Sequence, residues 1–151
     1  MPKKRKSSRK KALVFFNASV VLAGLHTLTG GSGKLLLWQN QRRIRGVISE
    51  IVLDEIVRRA KKIGISQQRA RQRTTKLFKW MVPAPSLPRV KKYKSMVADY
   101  GDAHLLASAE QIRATFLVSL DKKHVLGLHN KIKGIQIVSP KQLIEVLAGE
   151  M

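Results

Sequence analysis

The sequence predicts an α/β fold, a parallel sheet covered by helices on both faces. Short, wholly apolar runs alternate with longer amphipathic stretches, the pattern of strands joined by helical crossovers. An apolar share of 44% over 151 residues is enough for one core, and a chain of this length buries roughly 70% of its unfolded surface. Residues 1–11 read as a basic disordered arm and residues 12–151 as the folded domain, with no internal repeat.

Each element follows from its local pattern. Ala12 to Phe16 is apolar throughout, as a strand buried on both faces must be. Ala18 to His26 reads as a helix and Thr27 to Gly33 as a glycine-rich loop. Lys34 to Arg43 reads as a second helix, with Leu35, Leu36 and Leu37 forming its apolar side. Ile44 to Ile48 is strand-like. Ser49 is placed to cap a helix through Lys62, with Ile51, Val52, Ile56 and Ile63 inward. Ser66 to Val82 has the clearest helical period: Ala70, Thr74, Leu77, Phe78 and Met81 share a face, flanked by Arg69, Arg73 and Lys76. Pro83, Pro85 and Pro88 mark an extended connection, and Arg89 to Ala98 has no clear period and admits a short strand. Gly101 to Arg113 reads as a helix with Leu105, Leu106, Ala109 and Ile112 inward. Thr115 to Leu120 and Gln136 to Val138 read as strands, and Pro140 opens a last helix through Leu147.

Thirty Lys and Arg stand against nine Asp and Glu, a net charge of +21. Such a field draws polyanions and says nothing about fold. Nucleic acid is the first partner to expect, ahead of an anionic membrane surface or charge kept only for solubility. The arm residues Lys3, Lys4, Arg5, Lys6, Arg9, Lys10 and Lys11 suit a phosphate backbone, or else form a solvated tail. Lys3 to Lys6 would direct the chain to the nucleus of a eukaryote. Cysteine is absent, which excludes disulfides and thiolate metal sites and fits a reducing, cytoplasmic setting. The basic start followed by an apolar run has the outline of a secretory signal. Asn17 and Ser19 interrupt that run, and it falls short of the roughly 20 residues of a membrane span. It reads as fold, and no membrane partner is expected.

In so basic a chain the placement of carboxylates is informative. Asp121 follows the strand ending at Leu120, Asp102 starts the helix packed beside it, and Glu55 lies on the second turn after the strand ending at Ile48. Asn17 follows the first strand. All four map to one edge of a parallel sheet, where ligands gather. Singly, each has an ordinary explanation as a helix-start or turn residue.

The order of the local motifs adds to this. Val14-Phe15-Phe16-Asn17-Ala18-Ser19, then Ser49 followed six residues later by Glu55, then Asp99-Tyr100-Gly101-Asp102 with its small-residue tail to Ala109, then Phe116 to Lys122 with Ser119 two before Asp121, and finally Ile137 to Leu143 succeed one another. Over residues 12–148 this series resembles the PIN-domain family of metal-dependent ribonucleases. The resemblance implies a three-layer α/β/α sandwich with a central parallel sheet. It implies an Mg²⁺ or Mn²⁺ site of Asn17, Glu55, Asp102 and Asp121, with Asp99 beside them and Ser19 and Ser119 in support. It also implies an endoribonuclease acting on single-stranded or structured RNA, a toxin held by an acidic antitoxin, and a homodimer. Carboxylates about 4 Å apart repel by roughly 4 kcal/mol at an effective dielectric near 20, so such a cluster calls for a cation or a proton.

Asn17 departs from the family, which has Asp there. Its amide oxygen can ligate a hard cation but brings no charge, and Mg²⁺ sites often use only one or two carboxylates. Two accounts stay open: a nuclease weakened at this position, by divergence or by a deliberate change, and a non-catalytic RNA- or ribosome-binding protein on the same scaffold. A protein-interaction module neutralised by an acidic partner is a third. Other motifs are set aside. Thr29 to Leu35 lacks the first glycine and the Ser or Thr of a phosphate loop. His26, His104, His124 and His129 have no metal-ligand spacing among themselves. Trp38 and Trp80 read as core or interface, and with aromatics at 5% a stacking mode of single-strand binding is not expected. The face of Arg69, Arg73 and Lys76 is read as a phosphate contact.

Overall fold

Strand β1 (Leu13–Phe16) is the axis of the sheet, and its last three side chains have no solvent exposure. In the computed structural model, which describes residues 11–97, 99–129 and 131–150, β1 pairs with β2 (Arg45–Ser49) on one side and β4 (Phe116–Val118) on the other. The edges are β3 (Met81–Val82) and β5 (Gln136–Val138). All pairings are parallel, in the order β3-β2-β1-β4-β5. Seven α-helices among the described residues flank the sheet: α1 (Ala18–His26), α2 (Gly31–Asn40), α3 (Glu50–Arg59), α4 (Gln67–Leu77), α5 (Leu87–Lys94), α6 (Tyr100–Gln111) and α7 (Pro140–Glu150). This is a three-layer α/β/α fold. Lys3, Lys4, Arg5, Lys6, Arg9 and Lys10 lie outside the described residues; Lys11 is exposed. Among the described residues no single helix is long and apolar enough to cross a membrane.

Ser49 caps α3 as expected, its hydroxyl accepting from the Val52 amide at 3.1 Å. Elsewhere the structure corrects the sequence reading. The glycine-rich loop stops at Gly30, because α2 already begins at Gly31; a Cβ on Gly33 would sit 2.2 Å from the Leu28 carbonyl oxygen, so only glycine allows this helix start. On α2, Leu35 and Leu36 are buried but Leu37 is exposed. The amphipathic stretch from Ser66 ends as a helix at Leu77. Phe78 turns out of it into the core, edge-on to Phe16 at 5.1 Å, and Met81–Val82 joins the sheet beside Ile48 and Ser49. Residues 87–94 are a helix rather than a short strand, with Pro88 in the first turn, where a missing N–H costs nothing.

Helix α6, which carries Asp102, is tied to α5 by Glu110. The Glu110 carboxylate accepts from Arg89 at 2.9 Å, from Lys92 at 2.6 Å and from the buried Tyr93 hydroxyl. Lys92 foremost, then Tyr93, hold Glu110 below its ordinary 4.5 against the opposing effect of burial. Burial foremost, and then Glu110, push the Tyr93 hydroxyl upward. A depressed carboxyl contributes stability that is present above 4.5 and lost as pH falls through the folded value. Glu110→Gln is therefore expected to cost on the order of 1–2 kcal/mol near neutral pH. Thermal melts across a pH series should show the gap to the parent chain closing in acid.

Candidate metal centre

The strand order reverses beside β1: the chain builds β2 and β3 on one side, then returns to place β4 and β5 on the other. The connections diverge there and open a crevice beyond the carboxyl ends of β1 and β4. The crevice has a volume of about 430 Å³, and Glu55, Asp99, Asp102 and Asp121 line it, four of the nine carboxylates in the chain. Arg58 and Arg59 are the arginines in its walls.

Backbone pairing positions the row of polar side chains. The Asn17 amide N–H donates to the Val118 carbonyl at 3.0 Å, extending the β1–β4 ladder by one residue, and the Ser119 N–H donates to Val138 at 3.0 Å. Asn17 Nδ2 then donates to Ser119 Oγ at 2.8 Å, and the Asp121 N–H donates to the same oxygen at 3.0 Å. Ser119 is fully buried, so its hydroxyl fastens the ends of β1 and β4 from within. Ser19 does the same from α1, accepting from the Leu120 N–H at 3.1 Å. Asp99 is the N-cap of α6, accepting from Gly101 at 2.6 Å, which sets Asp102 in the first turn facing the crevice.

Asp102, Asp121 and His124 each offer a ligand atom, and these atoms lie within 4.8 Å of one another. Asp121 Oδ1 accepts from the His124 backbone N–H at 2.9 Å, folding the turn so that the imidazole Nδ1 stands 3.4 Å from Asp121 Oδ2. Burial raises the Asp102 carboxyl above its ordinary 3.8. The charges of Asp99, Asp121 and Glu55 push the same way, and His124 partly offsets them. The helix N-terminus favours an anion at Asp102, yet these effects outweigh it. A carboxyl opposed by burial and like charge is relieved by a cation. Oxygen donors with one imidazole and no thiolate suit a hard or borderline divalent ion. The residues present therefore fit such an ion.

A family model described as the PIN domain matches residues 13–123. The chain belongs to the PIN domain family. PIN domains are generally nucleases and typically depend on divalent metal. The fold is similar to the crystal structure of PAE2754 from Pyrobaculum aerophilum, with a TM-score of 0.63 over 91% of this chain and 96% of that one at 19% identity. No curated protein matches the chain.

The structure brings Asn17, Ser19, Glu55, Asp99, Asp102 and Asp121 to one crevice, with Ser119 buried beneath it. It does not give them equal places. The Glu55 carboxylate is taken by Arg59 at 2.9 Å, while His124 completes the tight group with Asp102 and Asp121. Spacing among the four histidines does not reveal His124; its signal in the sequence is Asp121 three residues before it. His104 also lines the crevice, with burial lowering its pKa, its ring edge-on to Tyr100 at 4.5 Å, and its Nδ1 buried without a hydrogen-bond partner among the described residues. Arg69, Arg73 and Lys76 lie on α4 and line other grooves, none of them this one.

Mn²⁺ at about 100 times its dissociation constant is expected to raise the melting temperature by about 5–10 °C, and Asp102→Asn to abolish the rise. Without metal the order reverses. With its pKa raised, Asp102 contributes stability that is complete below 3.8 and lost as pH rises through the folded value. Asp102→Asn should therefore melt higher than the parent at neutral pH, with the two converging in acid.

Proposed function

We propose that this PIN domain is an endoribonuclease working with Mg²⁺ or Mn²⁺, its turnover held low by Asn17. The observation that carries the reading is the close group of Asp102, Asp121 and His124, with a strained Asp102 carboxyl, at the switch point of the sheet. When bound, a divalent ion supplies charge neutralisation at a phosphodiester and an acidified water. The chain supplies the rest. Asp102 and Asp121 hold the ion, and Asp99 and Ser119 fix their backbones. Arg58, exposed in the crevice wall and without an ion pair among the described residues, meets the phosphate. Asn17 commits its Nδ2 to Ser119, which leaves a neutral oxygen as its donor where a carboxylate would add charge.

The second reading, a non-catalytic RNA- or ribosome-binding protein on this scaffold, is favoured by Asn17 alone. The two separate on one comparison, cleavage of single-stranded RNA with and without Mn²⁺. In the enzyme reading, Asn17→Asp increases cleavage and Asp102→Asn reduces it on the order of 100-fold or more. An Asn17→Asp chain that leaves a broad RNA panel intact with Mn²⁺, while the parent binds RNA tightly without metal, would establish the binding reading instead. The finer reading as a toxin has one supporting feature. An apolar groove between Leu25, Leu28, Leu36 and Leu37 is edged by Arg73 and Lys76, which suits an acidic amphipathic segment of an antitoxin. Cytoplasmic location and a homodimer belong to the same proposal.

A further inference from the structure

The crevice that gathers the acids is poorly equipped to hold a polyanion. Its four carboxylates face only two arginines, and Arg59 is already paired with Glu55. At the other end of β2 the balance inverts. Arg42, Arg45, Lys76 and Lys79 line a groove of about 310 Å³ that contains no carboxylate. Arg45 opens β2 and Ser49, which lines the acid crevice, closes it, so the two sites are roughly 13 Å apart along the strand.

Trp80 stands in this groove, 43% exposed, with the Arg45 guanidinium over its ring at 5.4 Å. The aromatic share of 5% predicts core or interface for both tryptophans and no base stacking. Trp38 fits that description at 4% exposure, and Trp80 does not. The floor is rigid: Gln39 Oε1 accepts from the Gly46 N–H at 2.7 Å, and its Nε2 donates to the Gly46 carbonyl at 3.3 Å and to Leu77 at 3.1 Å. A Cβ on Gly46 would meet Gln39 at 2.5 Å, so glycine is what admits this amide clamp. The fold's entry is bonded to the same place, the Arg45 N–H donating to the carbonyl of Ala12, which follows the basic run ending at Lys11.

We propose that this groove is a second contact site for single-stranded RNA, with an unpaired base on Trp80 and phosphates on Arg42, Arg45, Lys76 and Lys79. The proposal rests on RNA being the partner of the acid crevice and adds where the strand is gripped away from it. The exposed part of the indole offers π-surface to any base, and the cations around it, none of them in an ion pair with a carboxylate among the described residues, track the backbone, the combination that binds single strands without sequence preference. Double-stranded RNA keeps its bases stacked and offers none to the indole.

The test uses the full chain carrying Asp102→Asn, to stop turnover, and a fluorescent single-stranded RNA titrated at several salt concentrations. Trp80→Ala is expected to weaken binding on the order of tenfold, and Trp80→Phe to restore most of it. Arg45→Gln with Lys79→Gln should lower the slope of log K against log salt by roughly 1.4, the loss of two single-strand phosphate contacts. Iodide quenching of Trp80 emission should fall when RNA is bound. Unchanged affinity and slope in these variants, or unchanged iodide access with RNA bound, overturns the second site. So does a duplex RNA whose affinity falls as much with Trp80→Ala. Cleavage by the Asn17→Asp chain is measured separately, so failure of the nuclease reading leaves this result standing, and the converse holds.

Discussion

Parallel pairing of β1 with a neighbour on each side is the constraint on which the rest depends. It places Asn17, Ser49 and Ser119 in one row at the carboxyl ends of three adjacent strands, and the reversal of strand order beside β1 opens the crevice above that row. The row is held from inside by a buried hydroxyl and from α1 by a second one, and the turn bearing Asp121 and His124 is closed by its own hydrogen bonds. The strain is confined to charge. Asp102 sits where burial and three acidic neighbours oppose its ionisation, while the backbone that carries it is well satisfied. A site built this way opposes its own charge and suits a cation.

The overall charge and the local charge run in opposite directions. A chain of +21 concentrates nearly half its acids in one crevice and leaves a groove at the far end of β2 without any. Long-range attraction of a polyanion is thereby separated from the place where a divalent ion fits. A field of that sign draws polyanions, while the acids lining the crevice repel them locally. Arg59 contributes to the same division: by pairing with Glu55 it lowers the negative charge of the crevice.

Much of this was legible before any coordinates. A strand covered on both faces must be apolar throughout, and Leu13 to Phe16 is. Acids are conspicuous in a basic chain, so Asp102 and Asp121 stood out by placement. What was missed has physical reasons. Phe78 fits the next position on the face of α4 equally well as a side chain that leaves the helix to fill the core, and a two-residue strand such as β3 is too short to show a period. Pro88 reads as part of an extended connection because proline ends helices from within, whereas in the first turn it starts one. His124 joins the acids only through a turn closed by Asp121, and Trp80 is exposed while Phe78, two residues before it, fills the core.

Ser119 has one more consequence. Its oxygen receives two donors, from Asn17 and Asp121, and its own proton stays available. Were residue 17 acidic, the hydroxyl could rotate and give that proton instead of receiving one, with the same atoms in nearly the same places. Asparagine and aspartate differ by one nucleotide in their codons and hardly at all in shape. A lineage carrying this scaffold can therefore cross between a charged and a neutral first position in one step, leaving packing undisturbed. The charge at the first position is thus separable from the packing beneath it through a single buried hydroxyl.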